Sequence, residues 1–465
     1  MNIWKPLPEP YWPDDLRSPG LISLSFSILP GIIIAIISAL VLEPEASTKL
    51  KIIWMLVVPL LAGALIYTLI LLFHSVSQFW ADMMEKSYIE QRNWWINHAS
   101  AGIRLAEHSS LFPVEDAALK MLRLEGEMPP LKDIPRKLSV GVDEDMGLSR
   151  TQQILTHLLD QLDIATLNRP EVWLYIRNAD QPTQQDASAI IHNHTLLQKP
   201  TLHLLQALPQ CSMLEEWIMT YFCDSRLLII MELQGANDDA FCEYATALLF
   251  AHQCPSPDTR MPVWCFRSLN CHQHQVEKYL DILFAAKQVV PANLRHVWSG
   301  NLQGEGLYLL KDAFNETLSG IPEHNWHRLP VAATWTPGYR WLMLEWAAQA
   351  IRHGQRGQLL ATQQGEKQQI NVAMMSGERI NSPADDGNNW LQILHGIFKI
   401  ITLISLIGLE IMLIRFSLPK ETQDDAFIYL FIMPAGMMLL ALGIFTQGLN
   451  IARRHRERII DYYRR

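Results

Sequence analysis

RLLIIMEL, residues 226–233, is an apolar run of strand length with no polar alternation, the pattern of a strand covered on both faces. Working outward, similar runs recur: VWLYIRN at 172–178, MPVWCFRSL at 261–269 and RHVWSG at 295–300. Between them lie segments with helical periodicity, at 184–197, 238–251, 273–287 and 305–318. Strands and helices alternating at this spacing predict βαβ units and a largely parallel, three-layer α/β domain. A further helix is expected over 339–353, followed by QLLATQQGEKQQINVAMM (358–375), two alternating runs about a turn at 364–367 that read as an antiparallel edge hairpin. Ser149 and Gln152 have the spacing of a capping box and open a helix running to Leu162.

Four apolar segments enclose this domain, at 21–42, 52–73, 391–414 and 426–448. Each is long enough to cross a hydrocarbon core of about 30 Å at about 1.5 Å per residue. The expected order is a cytoplasmic N-terminal segment (1–20), a transmembrane hairpin (21–73), a helical stalk and connector (74–147), the α/β domain (148–375), a polar linker (376–390), a second hairpin (391–448) and a basic tail (449–465). The first apolar segment lacks a basic leader and is as long as a full span, so a retained helix is expected rather than a cleaved signal. Orientation follows from the tail IARRHRERIIDYYRR, where Arg453, Arg454, Arg456 and Arg458 follow the last span and mark the cytoplasmic side of a bacterial inner membrane. With two spans on each side, both termini and the domain between them are then cytoplasmic.

The formal charge of −9 and the lack of any dense basic cluster outside the tail argue against nucleic acid as a partner. Anionic lipid headgroups of the bilayer are the expected partner of the tail. Within the third span, Glu410 is expected to pair with Arg415 as an anchor, and Lys399 to snorkel toward the cytoplasmic face. Small residues in the spans, such as Gly63, Gly408 and Gly436, favour close helix contacts and a four-helix bundle, and leave a homo-oligomer open.

Chemistry-bearing patterns are sparse. WSGNLQGEGLYLLKDA runs from a strand through Gly300, Gly304 and Gly306 into a helix, a loop that can present backbone N–H groups to a phosphate, although it matches neither the P-loop nor G-x-G-x-x-G. A plain strand-to-helix turn is the preferred reading, with these glycines the first place to look for a bound phosphate. Cys265, Cys271, His272 and His274 lack the spacing of a zinc site, and no metal or cofactor is expected. Nucleophile-elbow, metalloprotease and kinase signatures are missing. Cys223, in YFCDSR, reads as a packed thiol, and the six cysteines as reduced residues of a cytoplasmic domain.

The succession VWLYIR, LLIIMEL, DDAFCEYATALLFAHQ and MPVWCFRSL, together with the opening PLPEPYWPDD, resembles the non-catalytic thiolase-like (ketoacyl-synthase-like) domains of accessory membrane proteins in bacterial type VI secretion clusters. The resemblance covers residues 170–375 and makes a thiolase-like fold the expectation beside a Rossmann-like one. A condensing enzyme needs a nucleophilic cysteine at a strand-to-helix turn and two downstream histidines, and none of the six cysteines matches that pattern, so no catalytic residue is carried over. What the resemblance implies is an accessory, adaptor or immunity protein that handles a toxin or secretion component. The rivals are a membrane-anchored enzyme with a degenerate thiolase-like or nucleotide-binding domain, and a membrane signalling sensor.

Overall fold

The computed structural model describes residues 57–416, apart from 141–146, 165, 221–224, 236–240, 252–260, 303, 318–320, 330–334, 365–367 and 381–388, together with a few single positions in the terminal segments. Two units divide the chain, residues 95–382 and residues 1–94 with 383–465.

In the first unit an eleven-stranded mixed sheet is built from two copies of one arrangement. The first copy uses β1 (Gly102–Leu111), β3 (Glu171–Ile176), β5 (Thr201–Leu204), β6 (Arg226–Glu232) and β7 (Tyr244–Phe250), in the spatial order β5-β3-β6-β7-β1; a separate two-stranded ribbon pairs β2 (Leu167–Asn168) with β4 (Leu197–Gln198). The second copy begins with a strand broken into β8 (Val263–Phe266) and β9 (Leu269–His272) and continues through β10 (Leu294–Gly300), β11 (Trp326–Arg328), β12 (Gly357–Gln364) and β13 (Gln369–Ser376), in the order β11-β10-β12-β13 and then β8 and β9. Counted along the chain, each copy runs third, second, fourth, fifth, first. In each, the second strand lies parallel between the third and fourth, and the fifth is antiparallel to both of its neighbours. The copies join where β1 pairs antiparallel with β8, Gly102 opposite Phe266 and Leu105 opposite Val263.

The sheet is therefore mixed rather than largely parallel, and the 358–375 hairpin lies inside it, between β10 and β8, rather than at an edge. Two further expectations are overturned. Residues 244–250, read as part of a helix, form β7, every residue of which is buried. A strand covered on both faces carries no polar stripe, so period alone does not separate it from a buried helix. Likewise the helical stalk expected from residue 74 onward stops at Ala99, where the helix Val58–Ala99 ends, and β1 follows after two residues. Residues 110–126 accordingly hold the end of β1 and one short helix, Ala117–Met121.

Alternate residues of β6 and β7 feed two cores. Leu228, Ile230, Tyr244, Leu248 and Phe250 face Trp217 and the helix Tyr339–Arg352. Leu227, Ile229, Met231, Ala245, Ala247 and Leu249 face Ile154, Leu155, Leu158, Ala187 and Ile191 on the helices Arg150–Asp160 and Gln181–Asn193. Three layers result in this half. The Ser149–Gln152 capping box is formed as expected. Glu243 is fully buried yet saturated: Arg150 donates to both of its oxygens at 2.9 and 2.6 Å, and the backbone N–H groups of Gln234 and Leu138 donate at 2.9 and 2.8 Å.

In the second unit, Val58–Ala99 up to Trp94 packs against the helix Asn389–Phe416 through Leu72, Val76, Phe79, Ile393, Ile400 and Ile404. Among the described residues, two helices, Gly63–Ala99 and Ile393–Leu413, are long and apolar enough to cross a membrane. The first and fourth expected spans lie outside the described residues apart from single positions.

Candidate functional site

Glu107-His108-Ser109-Ser110 is a polar run in the middle of the sheet, on the strand that joins the two copies. Burial of such groups costs several kcal/mol unless each finds a partner, and the helix Tyr339–Arg352 supplies them. The His108 Nδ1–H donates to Glu345 Oε1 at 2.8 Å, and Ser110 Oγ donates to Glu345 Oε2 at 2.6 Å. Two turns on, Arg352 pairs with Glu107 and donates to the Ala106 carbonyl at 2.9 Å. Ser109 turns to the opposite face and donates to the Leu158 carbonyl at 2.9 Å. With Nδ1 committed to a carboxylate, Nε2 of His108 is left buried without a partner among the described residues.

These side chains form one wall of a cavity of about 840 Å³. Five carboxylates line it, from Glu107, Glu115, Asp116, Asp163 and Glu345, with Arg352 and the histidines His108, His157 and His353; Glu107 is already paired with Arg352, and Glu345 with His108 and Ser110. The arrangement suits a cationic, hydrogen-bonding occupant. It does not form a hydrolytic triad, because Ser110 donates to the carboxylate rather than to the imidazole.

The second site of interest is Cys211, which opens the helix Cys211–Met219 after β5. A cysteine does stand at a strand-to-helix turn, contrary to expectation; β5 is only four residues long, too short for its pattern to show in the sequence. Its surroundings are not those of a nucleophile. Arg340 donates to the sulfur at 3.2 Å and to the Pro209 carbonyl at 2.8 Å, while Trp341 Nε1 donates to the same carbonyl at 3.2 Å. The adjoining cavity is only about 40 Å³, and among the described residues no histidine lines it. Burial raises the thiol pKa in spite of Arg340, whereas a nucleophile needs it lowered.

The glycines of the strand-to-helix loop have other demands on them. At Gly300 the Trp335 ring and Met343 sulfur fill the space a Cβ would take, Gly304 has φ +51°, and Gly306 lies in the first turn of Glu305–Thr317, where a Cβ would meet nothing closer than Gln273 Oε1 at 3.5 Å. Cys265 and Cys271 are buried with raised pKa values, His272 stacks on His274, and no cluster of three metal-ligating side chains occurs among the described residues. Cys223 lies outside the described residues. Thr68 Oγ1 donates to Glu410 Oε1 at 3.1 Å, and the expected pairing of Glu410 with Arg415 falls outside the described residues. The side chain of Arg415 lies outside the described residues, as do Arg456 and Arg458. Lys399 is exposed; so are Arg453 and Arg454, the former 3.1 Å from Glu457. A third polar group, missed in the sequence, is the buried pair His296 and His327. Gln355 accepts from His296 Nε2 at 3.0 Å, so the 2.8 Å bond between the rings is donated by His327 Nε2.

No protein-family model and no curated protein matches the sequence. Several solved structures align with it at low identity. A tetronic acid condensing enzyme is 12% identical over 59% of this chain and 100% of its own, with a TM-score of 0.38. OleA of Xanthomonas campestris is 11% identical over 59% and 98%, with a TM-score of 0.36. The 3-oxoacyl-(acyl carrier protein) synthase III of Xanthomonas oryzae has the same identity, coverage and TM-score as OleA. No residue role or activity is carried from them.

Proposed function

We propose that this chain is a membrane-tethered interaction protein whose α/β unit binds a protein partner rather than transforming a substrate. The observation that carries the reading is the state of Cys211: at a strand-to-helix turn, but held by Arg340, raised in pKa and beside a cavity too small for an acyl chain. The room lies instead at the acidic cavity beside Glu345, which suits a basic segment of a partner. Within this class, the sequence resemblance favours an accessory, adaptor or immunity role in type VI toxin delivery at the inner membrane.

Deleting the chain from its native host tests this. The expected result is loss of delivery of, or of resistance to, one toxin, restored by the wild-type chain and by Cys211→Ala but not by Glu345→Lys. Unchanged toxin phenotypes sink the interaction reading, and failure of Cys211→Ala to complement, with the protein present at normal abundance, favours the enzyme alternative.

A further inference from the structure

The helices Val58–Ala99 and Asn389–Phe416 run antiparallel, since Thr68 meets Glu410 while Phe79 packs at Gly396. That register sets Lys399 level with Gln78, five residues beyond the apolar run that ends at Phe73. Lys399 therefore stands at the depth of lipid headgroups, although it lies well inside its own apolar segment. At this level the apolar contact opens into a cavity of about 570 Å³ whose polar lining is Ser75, Gln78, Asp82, His395 and Lys399.

Four of these five polar side chains, all but Asp82, can donate. Lys399 makes no ion pair among the described residues. Ser75 is 3% exposed, and its hydroxyl is buried without a partner among the described residues, although a serine in a helix commonly bonds the carbonyl four residues back, as Ser77 does. An ammonium, a free hydroxyl and an amide converging at one depth are the complement of a phosphate oxygen set. Asp82 is the one carboxylate, and the register places it level with His395, one helical turn farther from the apolar core than Lys399. Basic pockets between membrane helices on the cytoplasmic side bind anionic headgroups in this way.

We propose that this pocket is a specific site for the phosphate of an anionic lipid, with Lys399 Nζ supplying the charge and Ser75 and Gln78 the hydrogen bonds. The proposal rests on the reading that the two helices cross the membrane, and is separate from any diffuse attraction of the basic tail.

The test uses the full chain reconstituted in nanodiscs of equimolar phosphatidylcholine and phosphatidylglycerol, with retained lipid counted by native mass spectrometry after transfer to detergent. Wild type should retain phosphatidylglycerol selectively. Lys399→Gln and Ser75→Ala should each reduce that retention, Lys399→Gln by about fivefold, while Lys399→Arg and the fourfold Arg-to-Gln variant of the tail keep it. Lys399→Arg guards against misfolding, because it preserves charge at the same place. Equal retention by wild type and Lys399→Gln overturns the site, as does loss only in the tail variant. Displacement of the lipid by millimolar inorganic phosphate overturns the lipid as its source. Carbonate extraction separates the two levels of failure: a chain released as soluble protein refutes the membrane reading, whereas an embedded chain without lipid selectivity refutes this site alone.

Discussion

At the scale of single residues, the chemistry of this chain is decided by what surrounds Cys211 and Gly300. Burial holds the Cys211 thiol protonated near neutral pH, so alkylation by iodoacetamide at pH 7.5 should be at least roughly tenfold slower than for a free cysteine, and slower than for the denatured chain. Labelling as fast as free cysteine would mean an activated thiol and revive the enzyme alternative. Gly300 stands against the ring of Trp335 at the end of a strand in which all but one residue are buried. Gly300→Ala should cost about 1–3 kcal/mol by overpacking, read from denaturant midpoints of the α/β unit, and Trp335→Leu should relieve part of that cost. Neither position declared its role in the sequence. A glycine required by a ring 35 residues away and a thiol quenched by a guanidinium 129 residues away are products of tertiary packing.

At the scale of elements, strands with flanking amphipathic helices were legible: β3, β6, β10, the β12–β13 hairpin and the Ser149 cap stand where the patterns put them. Legibility failed for β7, which presents no polar face, and for β1, whose Glu-His-Ser-Ser run looks solvated until Glu345 and Arg352 are brought to it from more than 230 residues away. The candidate cavity was illegible for that reason. Buried networks of this kind also set the stability of their elements. Glu243→Ala strands the Arg150 guanidinium and two backbone N–H groups, and should destabilise the unit by about 3–5 kcal/mol in urea unfolding. The paired rings on β10 and β11 make stability depend on pH. Burial first, then the neighbouring His296, push the His327 pKa down to about 3 from an ordinary 6.5. The unfolded chain then binds the extra proton, so stability should fall as pH drops below about 6.5, by up to about 1.4 kcal/mol per unit for this one group. Chemical denaturation at pH 7 and pH 5 should show a smaller difference for His327→Gln than for wild type; an equal difference would assign the acid sensitivity elsewhere.

At the scale of the whole molecule, the Arg-rich tail, with two spans expected on each side of the α/β unit, predicts that unit and both termini on the cytoplasmic side. A fluorescent protein fused after Asp386 should glow and alkaline phosphatase fused there should be inactive; the reverse pattern would invert the arrangement. The structural duplication lies at this scale too, and no sequence repeat announces it, because two copies can share a path while sharing few residues. One consequence of that path concerns synthesis. β1 leaves the ribosome first among the main strands, yet its partner β7 lies far downstream, with Thr246 bonding Ser109 across 137 residues. At about 5–20 residues per second, β1 waits roughly 7–27 s with both edges open. A strand of uniform Val and Ile would spend that interval as a template for aggregation, and the same Glu-His-Ser-Ser run that lines the cavity interrupts it with a charge and three polar side chains, acting as a gatekeeper for the nascent chain.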